Sequence, residues 1–377
     1  MSRETIRMRR RRRRRAARIR RGIRVGMFAC LVLIEASVGS AIMGARGARQ
    51  EADTEQQQIA AAPVMLQMPE KEDGSGRAGQ ALRTGRKTLV QTLSGWQQDS
   101  QGWWYACDET TNYINGWATI DGKNYHFDRE GYRDTGWTAI GGEGCYFDEE
   151  GIYDPDADSS MLIALTFDDG PSKYTGRLLD LLENTGAKAT FFMLGRQVEK
   201  YGAETISRMN ELGCVIGSHS YDHTNLKEAG ADTARQQFEQ TDALIAQYNN
   251  GEGAQVIRFP YGEYTKELAA DTGRACIFWD VDSMDWDSQD AQAIKEKVSS
   301  SIDGGDIILM HDIYESTVAA CEELIPQLQA QGYQMVTIEE LAAANGYELK
   351  PGVTYFGFTD FEKERGTVTD EGREAPQ

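Results

Sequence analysis

The chain has 377 residues, enough for two or three domains, and carries 59 acidic against 40 basic side chains, a formal charge of −19. Residues 1–24 hold 13 Arg and one Glu, a net +12, which leaves −31 on the rest. A short basic block ahead of an acidic body argues against nucleic-acid binding, and makes the run Arg9 to Arg15 a topology signal.

Directly after this basic segment, Val25 to Ala45 is apolar apart from Glu35, and 21 residues at about 1.5 Å each span a bilayer. Arginines before it and few after place the N-terminus in the cytoplasm and the body outside, as a single-pass cell-membrane protein. The small residues from Ser37 to Ala41 leave a cleaved signal peptide, and a secreted, wall-associated protein, as the alternative. Residues 46–94 are polar with few large apolar side chains, and read as a linker. Cys30 lies in the apolar segment, whereas Cys107, Cys145, Cys214, Cys276 and Cys321 are scattered without CxxC or metal spacing and read as buried thiols.

Residues 95–153 repeat. Gly95-Trp96, Gly116-Trp117 and Gly136-Trp137 recur at spacings of 21 and 20 residues, and IDGKNYHFD (120–128) aligns with IGGEGCYFD (140–148). Asp121-Gly122 and Gly141-Gly142 between apolar and aromatic positions predict two-residue hairpin turns. A hairpin this short cannot bury its own aromatics, so neighbours must stack. The array resembles the cell-wall-binding (choline-binding-type) repeats of surface proteins. That resemblance implies contact with a cell-wall polymer, with Asn124 and Gly144-Cys145 standing where the family often has tryptophan. His126 is expected at the surface or in a stack.

From residue 160 to 350 apolar runs alternate with helical periodicities. The runs lie at 161–167, 188–193, 214–218, 255–260, 275–281, 306–310 and 334–338, and Gly186, Gly213 and Gly332 stop helices ahead of the next strand. Seven β-α alternations predict an α/β fold, a barrel or a wound parallel sheet, whose chemistry gathers at the C-terminal ends of the strands. Residues 351–377 are left as a C-terminal tail.

Those strand ends carry the polar groups. The first run ends in Asp168-Asp169, two carboxylates whose repulsion and desolvation are unfavourable unless a cation offsets them. The third leads into His219-Ser-Tyr-Asp-His223, two histidines on one face if the segment is helical. The fourth leads to Arg258-Phe-Pro-Tyr261-Gly, the fifth to Asp282-Ser-Met-Asp285-Trp286, and the sixth to Leu309-Met-His311. Three of the four histidines fall in this set, and strand ends converge in space.

TFDDGP, HSYDH, RFPYG, DSMDW and LMH, in this order, resemble the five motifs of the polysaccharide deacetylases (NodB-homology, carbohydrate esterase family 4). The resemblance implies a distorted (β/α) barrel of about seven strands that hydrolyses acetyl groups from sugars with one divalent metal. Asp169, His219 and His223 would hold it; one carboxylate and two imidazoles suit Zn²⁺ or Co²⁺. Asp168 would be the general base, oriented by Arg258. His311 would be the acid, kept cationic by Asp285, and the backbone N–H of Tyr261 would donate to the oxyanion. Trp286 and Leu309 would wall the acetyl pocket. With membrane segment and wall repeats this makes the expected activity N-deacetylation of a wall polysaccharide, foremost N-acetylglucosamine of peptidoglycan. The alternatives are an O-acetyl (xylan-type) esterase and a catalytically silent wall-binding protein.

Overall fold

The computed structural model describes residues 94–358, except 109–110, and the backbone of a short strand at Val64–Gln67. The basic block at 1–24, the expected membrane segment at 25–45, nearly all of the linker and the last part of the tail lie outside the described residues. Among the described residues no helix is long and apolar enough to cross a membrane.

The repeats fold as the turn chemistry predicts. Gly95–Gln98 pairs antiparallel with Trp103–Ala106, Gly116–Ile120 with Lys123–Phe127, and Gly136–Ile140 with Glu143–Phe147. Asp121, Gly122, Gly141 and Gly142 all take positive φ, as a two-residue turn of matching twist requires. Trp96 and Trp117 each pack on the unit that follows. Trp96 lies 4.8 Å from Tyr125, and Trp117 lies 4.9 Å from Tyr153 and 5.5 Å from Phe147. Trp137 has no further hairpin and packs instead against the core of the barrel.

Nine parallel strands follow: β1 (Leu162–Asp168), β2 (Thr190–Met193), β3 (Val215–Ser218), β4 (Val256–Ile257), β5 (Ala275–Ile277), β6 (Val281–Asp282), β7 (Ile307–His311), β8 (Gln334–Val336) and β9 (Thr354–Tyr355). Their order is β6-β7-β1-β2-β3-β4-β5-β9, with β8 against the start of β1. The barrel is therefore open between β6 and β9, and it has more strands than the seven expected. The run at 275–281 divides into β5 and β6. The boundary at 350 also moves: β9 pairs with β5, and Tyr355, Phe356 and Phe358 are buried, so 351–358 belong to the barrel.

Intervening helices cover the outer face. They include α1 (Thr175–Thr185), α2 (Gly195–Glu211), α3 (Ala231–Ile245), α4 (Ala291–Ser301), α5 (Glu315–Ala330) and α6 (Ile338–Ala344). Every residue of β1 is buried, which explains its near-continuous apolar sequence. Alternate residues serve two layers: Ile163, Leu165 and Phe167 pack under the helices, while Leu162 and Ala164 face the barrel interior. Thr166 and Asp168 share the interior parity, and this parity delivers a carboxylate to the mouth of the barrel.

The third hairpin docks on α6 through backbone. A Cβ on Gly144 would stand 2.1 Å from the Ala344 carbonyl oxygen, and one on Gly346 2.2 Å from that of Gly142. A tryptophan at 144 could not make this contact, so the departure from the repeat pattern there is a docking feature.

Candidate active site

Arg258, just past β4, fills the interior and is fully buried. Its Nη1 donates to Asp168 Oδ1 at 2.7 Å and to Thr166 Oγ1 at 2.8 Å. Its Nε and Nη2 each donate at 2.9 Å, to the carbonyls of Ile277 and Phe278. The guanidinium also lies 4.1 Å from the Phe192 ring centroid. A buried guanidinium held on this many sides fixes one carboxylate orientation. Burial pushes Asp168 above the ordinary carboxylate range, while the charge of Arg258 pulls the other way. A buried carboxylate raised in this manner is a stronger base than an exposed one.

His311 is the Cα partner of Asp168 across the β1–β7 ladder, so these two groups stand side by side on neighbouring strands. Its Nδ1–H donates to Asp285 Oδ1 at 2.8 Å. The other oxygen, Oδ2, accepts from the His311 backbone N–H and from Thr317 Oγ1, both at 2.7 Å. Burial works against the cationic ring, but the hydrogen bond and charge of Asp285, with Asp168 and Asp169, outweigh it and push His311 up to about 9. The ring is thus an imidazolium at neutral pH. Asp285 is the buried partner, and Asp282 instead accepts from the Met284 N–H.

Asp169, His219 and His223 form the candidate metal centre. One donor atom of each lies within 4.8 Å of the others. Asp169 Oδ1 is 3.8 Å from His219 Nε2 and 3.6 Å from His223 Nε2. The His219 Nδ1–H donates to the Arg258 carbonyl at 2.7 Å, leaving Nε2 as the ligating nitrogen. Burial drives His219 down to about 3, keeping it neutral. Asp169 Oδ1 is buried without a hydrogen-bond partner, an unfavourable state that a divalent cation would relieve. The residues present fit one such ion.

The histidine pair is not helical, so the condition under which the spacing would place both rings on one helix face is not met. Residues 219–223 form a loop in which Ser220 (φ 74°) and His223 (φ 69°) take left-handed conformations, folding the second imidazole back toward the first. Their rings lie 5.0 Å apart. Asp169 (φ 70°) and Tyr261 (φ 61°) are also left-handed, so three site residues and the adjoining Ser220 hold a backbone conformation that non-glycine residues disfavour.

Tyr261 is 62% exposed and meets His223 edge-on at 4.4 Å; Trp286, beside Asp285, is 49% exposed. Two open aromatic faces therefore adjoin the metal side and the acid side of the site. Leu309 is buried, two residues before His311 on the interior parity of β7. The structure brings Asp168, Asp169, His219, His223, Arg258, Tyr261, Asp285 and His311 together, whereas Trp286 is placed only by its adjacency to Asp285 and Leu309 lies within β7.

Sequence reasoning passed over Asp312, Thr317 and Thr166. Asp312 is fully buried next to His311, and burial pushes its carboxyl up to about 7. Its carboxylate accepts from Thr175 Oγ1, and its carbonyl accepts from Ser172 Oγ at 2.7 Å. These bonds tie the end of β7 to the turn after Asp169. An acidic side chain adjoining a motif histidine was the available signal.

Comparison with known proteins agrees with this geometry. The family model Polysaccharide deacetylase matches residues 156–276, and the model Choline-binding repeat matches residues 114–151. A Bacillus cereus peptidoglycan-N-acetylglucosamine deacetylase is 34% identical over 187 residues, which cover 48% of this chain and 67% of that enzyme. This chain belongs to the polysaccharide deacetylase family.

The Listeria monocytogenes peptidoglycan-N-acetylglucosamine deacetylase PgdA is 38% identical over 207 residues, 55% of this chain. The match spans 43% of PgdA, less than half its length. Among solved structures, a T48 deacetylase with substrate is 39% identical with a TM-score of 0.50, covering 53% of this chain and 99% of that one.

Proposed function

We propose that the chain is a metal-dependent deacetylase that hydrolyses N-acetyl groups of a cell-wall polysaccharide, foremost N-acetylglucosamine of peptidoglycan. The observation that carries this reading is the pairing of Asp168 with His311 on adjacent strands, one held by Arg258 and the other by Asp285, beside a three-donor metal cradle. A divalent ion held by Asp169, His219 and His223 would polarise the acyl carbonyl and acidify a water. Asp168 takes the proton of the attacking water, and Arg258 keeps the carboxylate aimed. The Tyr261 N–H is assigned to the oxyanion. As the amide C–N bond breaks, His311 gives its Nε2 proton to the departing nitrogen, releasing acetate and a free amine. An amide needs this proton because an unprotonated amine is a poor leaving group. Leu309 and Trp286 are assigned to the acetyl pocket, and the exposed rings of Tyr261 and Trp286 to contact with sugar faces.

The apolar stretch at 25–45 supports an assignment to the cell membrane with the barrel outside, where the abundant acetylated polymer is peptidoglycan. The test is hexosamine acetylation, by mass spectrometry, in walls from cells with and without the gene. Fewer acetyl groups on N-acetylglucosamine in the wild type support the reading. Unchanged acetylation, with acetate released by the pure protein only from O-acetylated xylan, would favour the esterase alternative.

A further inference from the structure

Arg133 is the residue at which the three repeat units meet. Its backbone N–H donates to the Trp103 carbonyl at 2.8 Å, fixing it against the first hairpin. Its guanidinium carbon stands 5.7 Å from the ring centroid of Trp96 and 5.7 Å from that of Trp103. Nη1 donates to the Glu150 carbonyl at 2.6 Å and Nη2 to that of Glu149 at 2.8 Å, both in the turn that closes the third unit. The turn runs directly along the arginine stem, since a Cβ on Gly151 would stand 2.6 Å from Arg133 Cδ.

Two indole faces converging on one cation are the arrangement that recognises a quaternary ammonium, because the ring quadrupoles attract positive charge. Here the cation belongs to the chain, and carbonyls of another unit hold it in place. We propose that Arg133 is the resident ligand of the Trp96–Trp103 cation site, so that the array takes no external quaternary ammonium and serves as a rigid arm on the catalytic domain.

Of the other three tryptophans of the array, Trp104 is half-buried in the first hairpin, and two are also occupied from within. Trp117 packs on His126 at 5.3 Å, whose Nδ1 is bonded to Asp134 at 2.6 Å, and on Tyr153. Trp137 packs on the barrel core, where the third hairpin meets the backbone of α6 through Gly144. The inference holds whichever glycan the catalytic site accepts.

The experiment titrates choline into the full-length protein, following tryptophan fluorescence and thermal unfolding, with Arg133→Gln in parallel. Wild type should show no saturable change at tens of millimolar choline. Arg133→Gln should red-shift the tryptophan emission and lower the unfolding midpoint, while release of acetate from a soluble N-acetylglucosamine oligomer stays at the wild-type rate. Saturable choline binding by wild type that Trp96→Ala abolishes would overturn the proposal. So would an Arg133→Gln protein with unchanged emission and midpoint.

Discussion

Replacing Asp285 with Asn tests the acid assignment through its pH dependence. In the wild type His311 titrates at about 9, against 6.5 for an unperturbed imidazole. At about 1.4 kcal/mol per tenfold, that difference amounts to about 3 kcal/mol in favour of the imidazolium. The main opposing influence is burial, which the variant retains, so its His311 should titrate at about 6.5 or below. The sign follows from the role. An acid acts only while protonated, so activity is present below its pKa and lost as pH rises through it. The alkaline limb of kcat/KM should therefore lie near about 9 in wild type and move down by two or more pH units in Asp285→Asn. At pH 7.5 an imidazole titrating at about 6.5 is about one-tenth protonated, so the variant should lose at least about tenfold in rate there and recover at lower pH. The assay is acetate release across pH, with bound metal quantified at each point. An alkaline limb that stays near about 9 in Asp285→Asn would show that another group sets it and refute the pairing as its cause.

Three further substitutions and one topological test follow from the same geometry. Asp168→Asn should abolish turnover with metal retained, and leave the buried Arg258 without its countercharge, a destabilisation of about 3 kcal/mol readable by chemical denaturation. Asp169→Asn should instead lose metal by elemental analysis; equal metal loss in both variants would overturn the division of roles. Gly144→Ala should destabilise by about 1–3 kcal/mol through its clash with Ala344 while sparing turnover of soluble oligomers, and wild-type stability would refute the docking contact. Protease added to intact cells should remove the barrel, whereas protection under conditions that cleave surface controls would contradict an outward domain.

What could be read from sequence was the part governed by local pattern. Two-residue turn signals located the hairpins, and apolar runs located the strand ends where Asp168, Arg258 and His311 now meet. Contacts that join distant segments were not legible. Arg133 reads as one arginine in a polar turn, and only folding sets it between Trp96 and the Glu149 carbonyl. A spacing of four would bring the histidines to one face of a helix, but Ser220 and His223 reach the same proximity through left-handed backbone that no periodicity encodes. Likewise, Thr354–Tyr355 is too short for a strand signal and becomes one by pairing with β5.

In the proposed function one divalent ion, a carboxylate base and an imidazolium acid together hydrolyse N-acetyl groups of peptidoglycan. The most direct test is acetate release from purified peptidoglycan by the full-length protein, stripped by chelator and then reloaded with a divalent ion. Acetate should appear in step with new free amines on glucosamine, be lost on chelation and be restored by metal. Acetate release that persists in excess chelator, or none from peptidoglycan after reloading, would contradict it.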